Sequence, residues 1–184
     1  MAKKVLVPIA DGSEELEALT IIDVLRRAGA EVTIASVGGR EITASRKTKI
    51  VADAVIGDCQ KQVYDLIALP GGMPGAENLR NNGVLTKMLK EQKDANRLFA
   101  AICAAPAVVL EHHGLIDNYR ATCHPSFMPK LLRCKAVNDR VVVDKNCITS
   151  QGVGTGMEFS LKLVEAMFGK EKAATLASDM LVAR

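Results

Sequence analysis

The sequence predicts a doubly wound α/β sandwich, a mostly parallel sheet with helices on both faces, and three observations carry that expectation. Short β-branched apolar runs alternate with segments of helical periodicity along the chain. Strand, helix and strand recur within one crossover length, the unit from which parallel sheets are built. The 184 residues are 48% hydrophobic, enough for one substantial core, and contain neither a low-complexity stretch nor a convincing boundary. Residues 1–184 are therefore read as a single domain.

Val5 to Ile9 is the first apolar run, and Asp11-Gly12-Ser13 supplies a turn and helix-start signal. The spacing of Leu16, Leu19, Ile22 and Leu25 then predicts a helix over Glu14 to Ala28, ended by Gly29. Glu31 to Val37 alternates as a strand, and Glu41 to Ala54 reads as a short hairpin with Arg46 near its tip. Asp65 to Leu69 runs into Pro70-Gly71-Gly72, Val84 to Asp94 is helical, and Leu98 to Ile102 is the strand before Cys103. A helix is expected directly after that cysteine, with His112 and His113 at its C-terminal dipole. Arg140 to Asp144 and Cys147 to Thr149 pair across Lys145-Asn146, and two closing helices, Thr155 to Phe168 and Lys170 to Val182, are separated at Gly169.

Composition excludes several classes of function. The 24 basic and 21 acidic residues are scattered, so the net charge of +3 forms no stripe that would mark a dedicated nucleic-acid site. No apolar stretch approaches a membrane span, and the N-terminal run is too short for a signal segment and is broken by Pro8. Five cysteines, at 59, 103, 123, 134 and 147, form neither a C-x-x-C pair nor an even set. These features lead to the expectation of a soluble, cytoplasmic chain in a reducing compartment, without structural zinc or another metal. No G-x-G-x-x-G or phosphate loop is present, so no nucleotide cofactor is expected.

In open α/β sheets the ligand site lies beyond the carboxyl ends of the strands. Three segments with unusual chemistry end there: Gly12 to Glu17, Pro70-Gly71-Gly72, and Cys103. Ala101 and Ala105 flank Cys103 at minus and plus two, the small-residue pattern of a sharp strand-to-helix elbow that exposes its central nucleophile. A thiol with pKa about 8.5 is only a few per cent thiolate at neutral pH. A helix N-terminus contributes at most about 2 kcal/mol, little more than one pKa unit, so a further group is needed. A protonated carboxyl donating to sulfur would serve, and Glu17, one turn into the first helix, is the candidate; Glu14 and Glu15 are expected to face solvent. Gly71 and Gly72 permit close backbone approach, and the N–H groups of Gly72 and Ala104 could form an oxyanion hole. His124 is a candidate base or proton carrier, or else a loop histidine.

The motifs Gly-Ser-Glu-Glu-Leu-Glu17, Leu-Pro-Gly-Gly-Met-Pro-Gly-Ala-Glu-Asn-Leu, Ala-Ala-Ile-Cys103-Ala-Ala-Pro, His124-Pro and Thr-Ser-Gln-Gly-Val-Gly-Thr, in one register from about Lys4 to Leu181, resemble the DJ-1/ThiJ/PfpI superfamily, in particular its small DJ-1-like branch. The resemblance implies a flavodoxin-like sandwich forming homodimers, with Cys103 hydrogen-bonded to a protonated Glu17, Gly72 and Ala104 as donors, and His124 nearby. It implies cofactor-free conversion of methylglyoxal to lactate, deglycase repair of glycated adducts, oxidant sensing through a Cys103 sulfinate, or chaperone activity. Arg46 matches the family's hairpin arginine that reaches the site across the dimer. Two positions depart from the family pattern. Ala104 stands where protease and larger chaperone branches carry histidine, which argues against peptidase activity. Gln151 stands where animal members carry arginine, and Val153 replaces a usual proline, so a different anion environment is expected.

Overall fold

The computed structural model describes residues 2–182. Its centre is a seven-stranded sheet in the order β10-β11-β7-β6-β1-β2-β5. The strands are β1 (Lys4–Ile9), β2 (Glu31–Ser36), β5 (Ala54–Val55), β6 (Leu66–Leu69), β7 (Leu98–Ile102), β10 (Val141–Asp144) and β11 (Cys147–Ser150). Every neighbouring pair is parallel except β10 with β11, which turn back on each other across Lys145-Asn146. The hairpin is the separate two-stranded pair β3 (Glu41–Thr43) and β4 (Lys49–Val51), and Ala54–Val55 leaves it to become the sheet edge. A further small pair, β8 (Arg120–Ala121) and β9 (Lys135–Ala136), lies outside the main sheet.

The central strands are buried on both faces, which is why they read as continuous apolar runs rather than as alternating ones. Val5, Val7, Ile9, Leu66, Ala68, Ala100 and Ile102 enter one core, against α1 (Glu15–Ala28), α4 (Gly156–Phe168) and α5 (Lys170–Asp179). Their alternates Leu6, Ile67, Leu69, Phe99 and Ala101 enter the other, against α2 (Gly75–Arg80) and α3 (Gly83–Asp94). The sandwich is thus wound on both sides, as the alternation of elements predicts.

Helix α1 stops where Gly29 adopts φ 96° and returns its N–H to the last turn. Two expectations are corrected. Helix α2 is absent from the sequence reading, because six residues between a proline and an Asn-Asn pair offer too few turns for periodicity to register. The helix after Cys103 is only Pro106–Glu111, a wide π-type turn rather than a long helix. His113 instead meets the end of another helix: its Nε2 lies 2.9 Å from the carbonyl of Arg80, the last residue of α2, and 3.2 Å from the Thr86 hydroxyl. Among the described residues no helix is long and apolar enough to cross a membrane.

Candidate active site

Strands β1, β6, β7 and β11 deliver their carboxyl ends to one edge, and Cys103 stands at the centre of it. Its backbone is left-handed, φ 64°, a conformation that non-glycine residues rarely adopt. Both main-chain groups are tied: the N–H donates to the Ser150 carbonyl at 3.0 Å, and the carbonyl accepts the His124 N–H at 2.8 Å. Ala101 and Ala105 are fully buried beside it, so the small residues that flank the elbow have no room to be larger.

The glycines between β6 and α2 press against this elbow. A methyl group on Gly71 would lie 2.6 Å from the Cys103 Cβ and 3.0 Å from both the Ala104 nitrogen and Glu17 Oε2. Gly72, at φ 85°, packs under the turn at Gly12 to Glu14. Glu17 is 1% exposed; its Oε2 accepts the Gly71 N–H at 2.8 Å. Its Oε1 is buried with no N–H or O–H partner among the described residues, and the carboxyl's remaining neighbour is the Cys103 thiol. The backbone N–H groups of Gly72 and Ala104 both reach the sulfur.

Burial, helped by repulsion from Glu14, raises the Glu17 carboxyl to about 7 against the opposing hydrogen bonds from Gly71 and Cys103. Burial, followed by the charge and hydrogen bond of an ionised Glu17, pushes the Cys103 thiol up to about 12, while Gly72 and Ala104 pull it down. The two groups are therefore coupled. While Glu17 is charged the sulfur keeps its hydrogen; on a protonated Glu17 the causes that come from its charge vanish, leaving burial against the two N–H donors. The helix that follows, Pro106–Glu111, is one short turn.

Glu14 and Glu15 are also corrected: both are buried beneath the hairpin rather than facing solvent. The Ser45 hydroxyl donates to Glu14 Oε2 at 2.6 Å and Glu15 Oε2 at 2.9 Å, and the Arg46 N–H donates to Glu15 at 2.9 Å. Burial works against the Glu15 charge, but its own N–H and those of the hairpin outweigh it, together with the Ser45 and Thr48 side chains, and its carboxyl falls to about 2. The tip so clamped sets Arg46 at the rim of the Cys103 cavity of its own chain.

That cavity, about 580 Å³, is lined by Glu14, Glu17, Arg46, Gly72, Cys103, Ala104 and His124, and on the far wall by Ser126, Phe127, Arg140 and residues 151–155. His124 Nδ1 accepts the Ser126 N–H at 3.3 Å and lies 2.7 Å from its hydroxyl, so the ring proton of the neutral form sits on Nε2. Gln151 is held by Asn138 at 2.9 Å. Ser126 and Phe127 escape the sequence reading because a turn after His124-Pro carries no periodic signal, and Arg140, whose guanidinium binds Glu158 and the Gly154 carbonyl, reads only as a strand end.

Residues 3–166 match the DJ-1/PfpI family. The chain belongs to that family. Protein DJ-1 homolog B of Arabidopsis thaliana is 49% identical over 97% of this chain, and the chain spans only 41% of that relative's length, just as it spans 46% of DJ-1 homolog A. A Caenorhabditis elegans protein named glutathione-independent glyoxalase DJR-1.2 is 36% identical, over 98% of this chain and 96% of that one. The solved structure of oxidized DJ-1 from Toxoplasma gondii superposes with a TM-score of 0.97 at 47% identity, covering all of both chains.

Proposed function

We propose that the chain is a cofactor-independent glyoxalase of the DJ-1 type, acting on methylglyoxal or on adducts derived from it. The observation that carries this reading is the half-buried Cys103 thiol beside the buried Glu17 carboxyl, a nucleophile next to an acid under two backbone donors. The Cys103 thiolate adds to the aldehyde carbon, and Glu17 gives its proton to the new alkoxide, forming a hemithioacetal. Glu17, now a carboxylate, takes the proton from that carbon and returns it to the adjacent one through an enediol, while the hydroxyl proton passes from the first oxygen to the second, leaving a thioester. Water then releases lactate and restores the thiol, so the reaction is a hydration with internal redox and needs no external oxidant. In this reading the N–H groups of Gly72 and Ala104 would stabilise the developing oxyanion. His124, through Nε2–H, would hold the second carbonyl, and Arg46 would bind substrate at the rim.

Methylglyoxal is far smaller than the 580 Å³ cavity, and the remaining room suits a glycated side chain, which supports a deglycase substrate at the same site. The relative named a glutathione-independent glyoxalase supports the smaller substrate. A second reading, a redox sensor or chaperone that uses Cys103 oxidation, is favoured by the same donors, which suit a sulfinate as well as an oxyanion. Lactate formation from methylglyoxal by purified protein without glutathione tests the first reading. Wild-type turnover with none in Cys103→Ala is the expected result, and no turnover by folded wild-type protein would sink it.

A further inference from the structure

Glu14 caps the start of α1, three residues before Glu17, a spacing that sets both side chains on one face of the helix. Its N–H donates to the Gly71 carbonyl at 3.0 Å, and the Gly71 N–H donates to Glu17 Oε2 at 2.8 Å. The two acids thus stand on either side of one residue, and both line the Cys103 cavity. Glu15 shares the Ser45 hydroxyl with Glu14 but spends its other acceptor sites on hairpin N–H groups and is absent from the cavity wall. The other charged or titratable groups facing the cavity are Arg46 from the hairpin, His124, and Arg140, whose guanidinium is held by Glu158. None of them is hydrogen-bonded to Glu17 among the described residues.

We propose that Glu14 is a positioning residue for the Glu17–Cys103 pair: the Ser45 hydroxyl holds its carboxylate in the cavity wall, and that group biases the proton toward Glu17 and the sulfur toward the thiolate. Moving the proton from Glu17 to Cys103 moves negative charge from the sulfur to the carboxyl beside Glu14. Repulsion between like charges opposes the move. The hairpin thereby connects to the nucleophile through Ser45, Glu14 and Glu17 in turn.

The inference rests on the Glu17–Cys103 pair being the reacting centre. The test is the ultraviolet absorbance of the thiolate at neutral pH, with Cys103→Ala as the blank and no substrate present, so its failure is separate from failure of the methylglyoxal assay. In Glu14→Gln, whose amide oxygen still accepts from Ser45, the thiolate signal is expected to fall roughly three- to tenfold. The titration of the Glu17 carboxyl carbon by NMR should move to lower pH. Glu14→Asp, which keeps the charge, should restore most of the signal, and Ser45→Ala should give an intermediate loss. Wild-type absorbance in folded Glu14→Gln would overturn the proposal, as would an equal loss in Glu15→Gln, which would assign the effect to hairpin docking. Should Glu14→Gln not fold, Ser45→Ala decides on the same reading: a fall supports the proposal and an unchanged signal overturns it.

Discussion

Gly71 and Cys103 touch so closely that the space for a β-carbon on the first is already filled by the β-carbon of the second, 2.6 Å away. The same missing methyl group keeps Glu17 Oε2 in reach of the Gly71 N–H. Gly71→Ala must therefore displace the thiol, the carboxyl or the loop. Methylglyoxal turnover should fall at least about tenfold while the fold survives a cost of roughly 1–3 kcal/mol. Lactate production and a thermal melt on one preparation check both halves, and full activity would mean that the elbow tolerates movement.

Glu17→Gln keeps a group of the same shape that can still accept the Gly71 N–H, but it cannot carry a proton between two carbons. Turnover should collapse although the protein remains folded. Retained turnover would reduce Glu17 to a structural partner of the thiol.

The two buried acids pull stability in opposite directions with pH. Glu17 is raised from 4.5 to about 7 in the folded chain, so it favours folding fully below pH 4.5 and that contribution is lost as pH rises toward 7, a change of about 3 kcal/mol. Glu15 is lowered to about 2, so its contribution is present above 4.5 and is lost as pH falls toward 2. Denaturation midpoints across pH should show Glu17→Gln flattening the neutral side of the profile and Glu15→Gln flattening the acid side. Identical profiles for the two variants would contradict these assignments.

Dimerisation is expected from the exposed apolar face of α1. Leu16, beside buried Glu17, is 59% exposed, and Leu19 and Met73 are exposed as well. Arg46 has no carboxylate within ion-pair distance among the described residues, which leaves it available to a second copy. Light scattering at micromolar concentration should give about twice the 19.7 kDa chain mass. A monomer with full activity would confine Arg46 to the cavity of its own chain.

Peroxide should oxidise Cys103 before the other four cysteines and stop at sulfinate, because Gly72, Ala104 and the protonated Glu17 can hold its oxygens. Burial raises the thiols of Cys123 and Cys134 to about 12 and that of Cys147 further, and no protonated carboxyl relieves them. Glu111 beside Cys134 has the opposite effect, pushing that thiol further up while it accepts the N–H groups of Leu132 and Arg133. Peptide mass spectrometry after graded peroxide should find Cys103 modified at the lowest dose; earlier oxidation of any other cysteine would remove the special status of Cys103.

The sheet was legible because parallel strands buried on both faces leave unbroken runs, as in Val5 to Ile9 and Leu98 to Ile102. The elbow was legible because alanines at 101 and 105 leave few alternatives to a sharp turn. Glu14 and Glu15 were misread because a helix start says nothing about which distant loop lies over it; only the folded hairpin brings Ser45 and Arg46 there. Ser126 and Phe127 were missed for a similar reason, since they reach the cavity from a turn whose position depends on the His124 N–H binding the Cys103 carbonyl.

The parts of the site come from places far apart in the chain. Glu17 follows β1, Gly71 and Gly72 follow β6, and Cys103 follows β7, and these strands are adjacent only in the finished sheet. In a nascent or unfolded chain Cys103 is therefore an ordinary thiol, with neither acid nor backbone donors beside it. Its distinctive chemistry switches on with the last long-range strand pairing, so labelling at Cys103 can act as a clock for when β1, β6 and β7 close on one another.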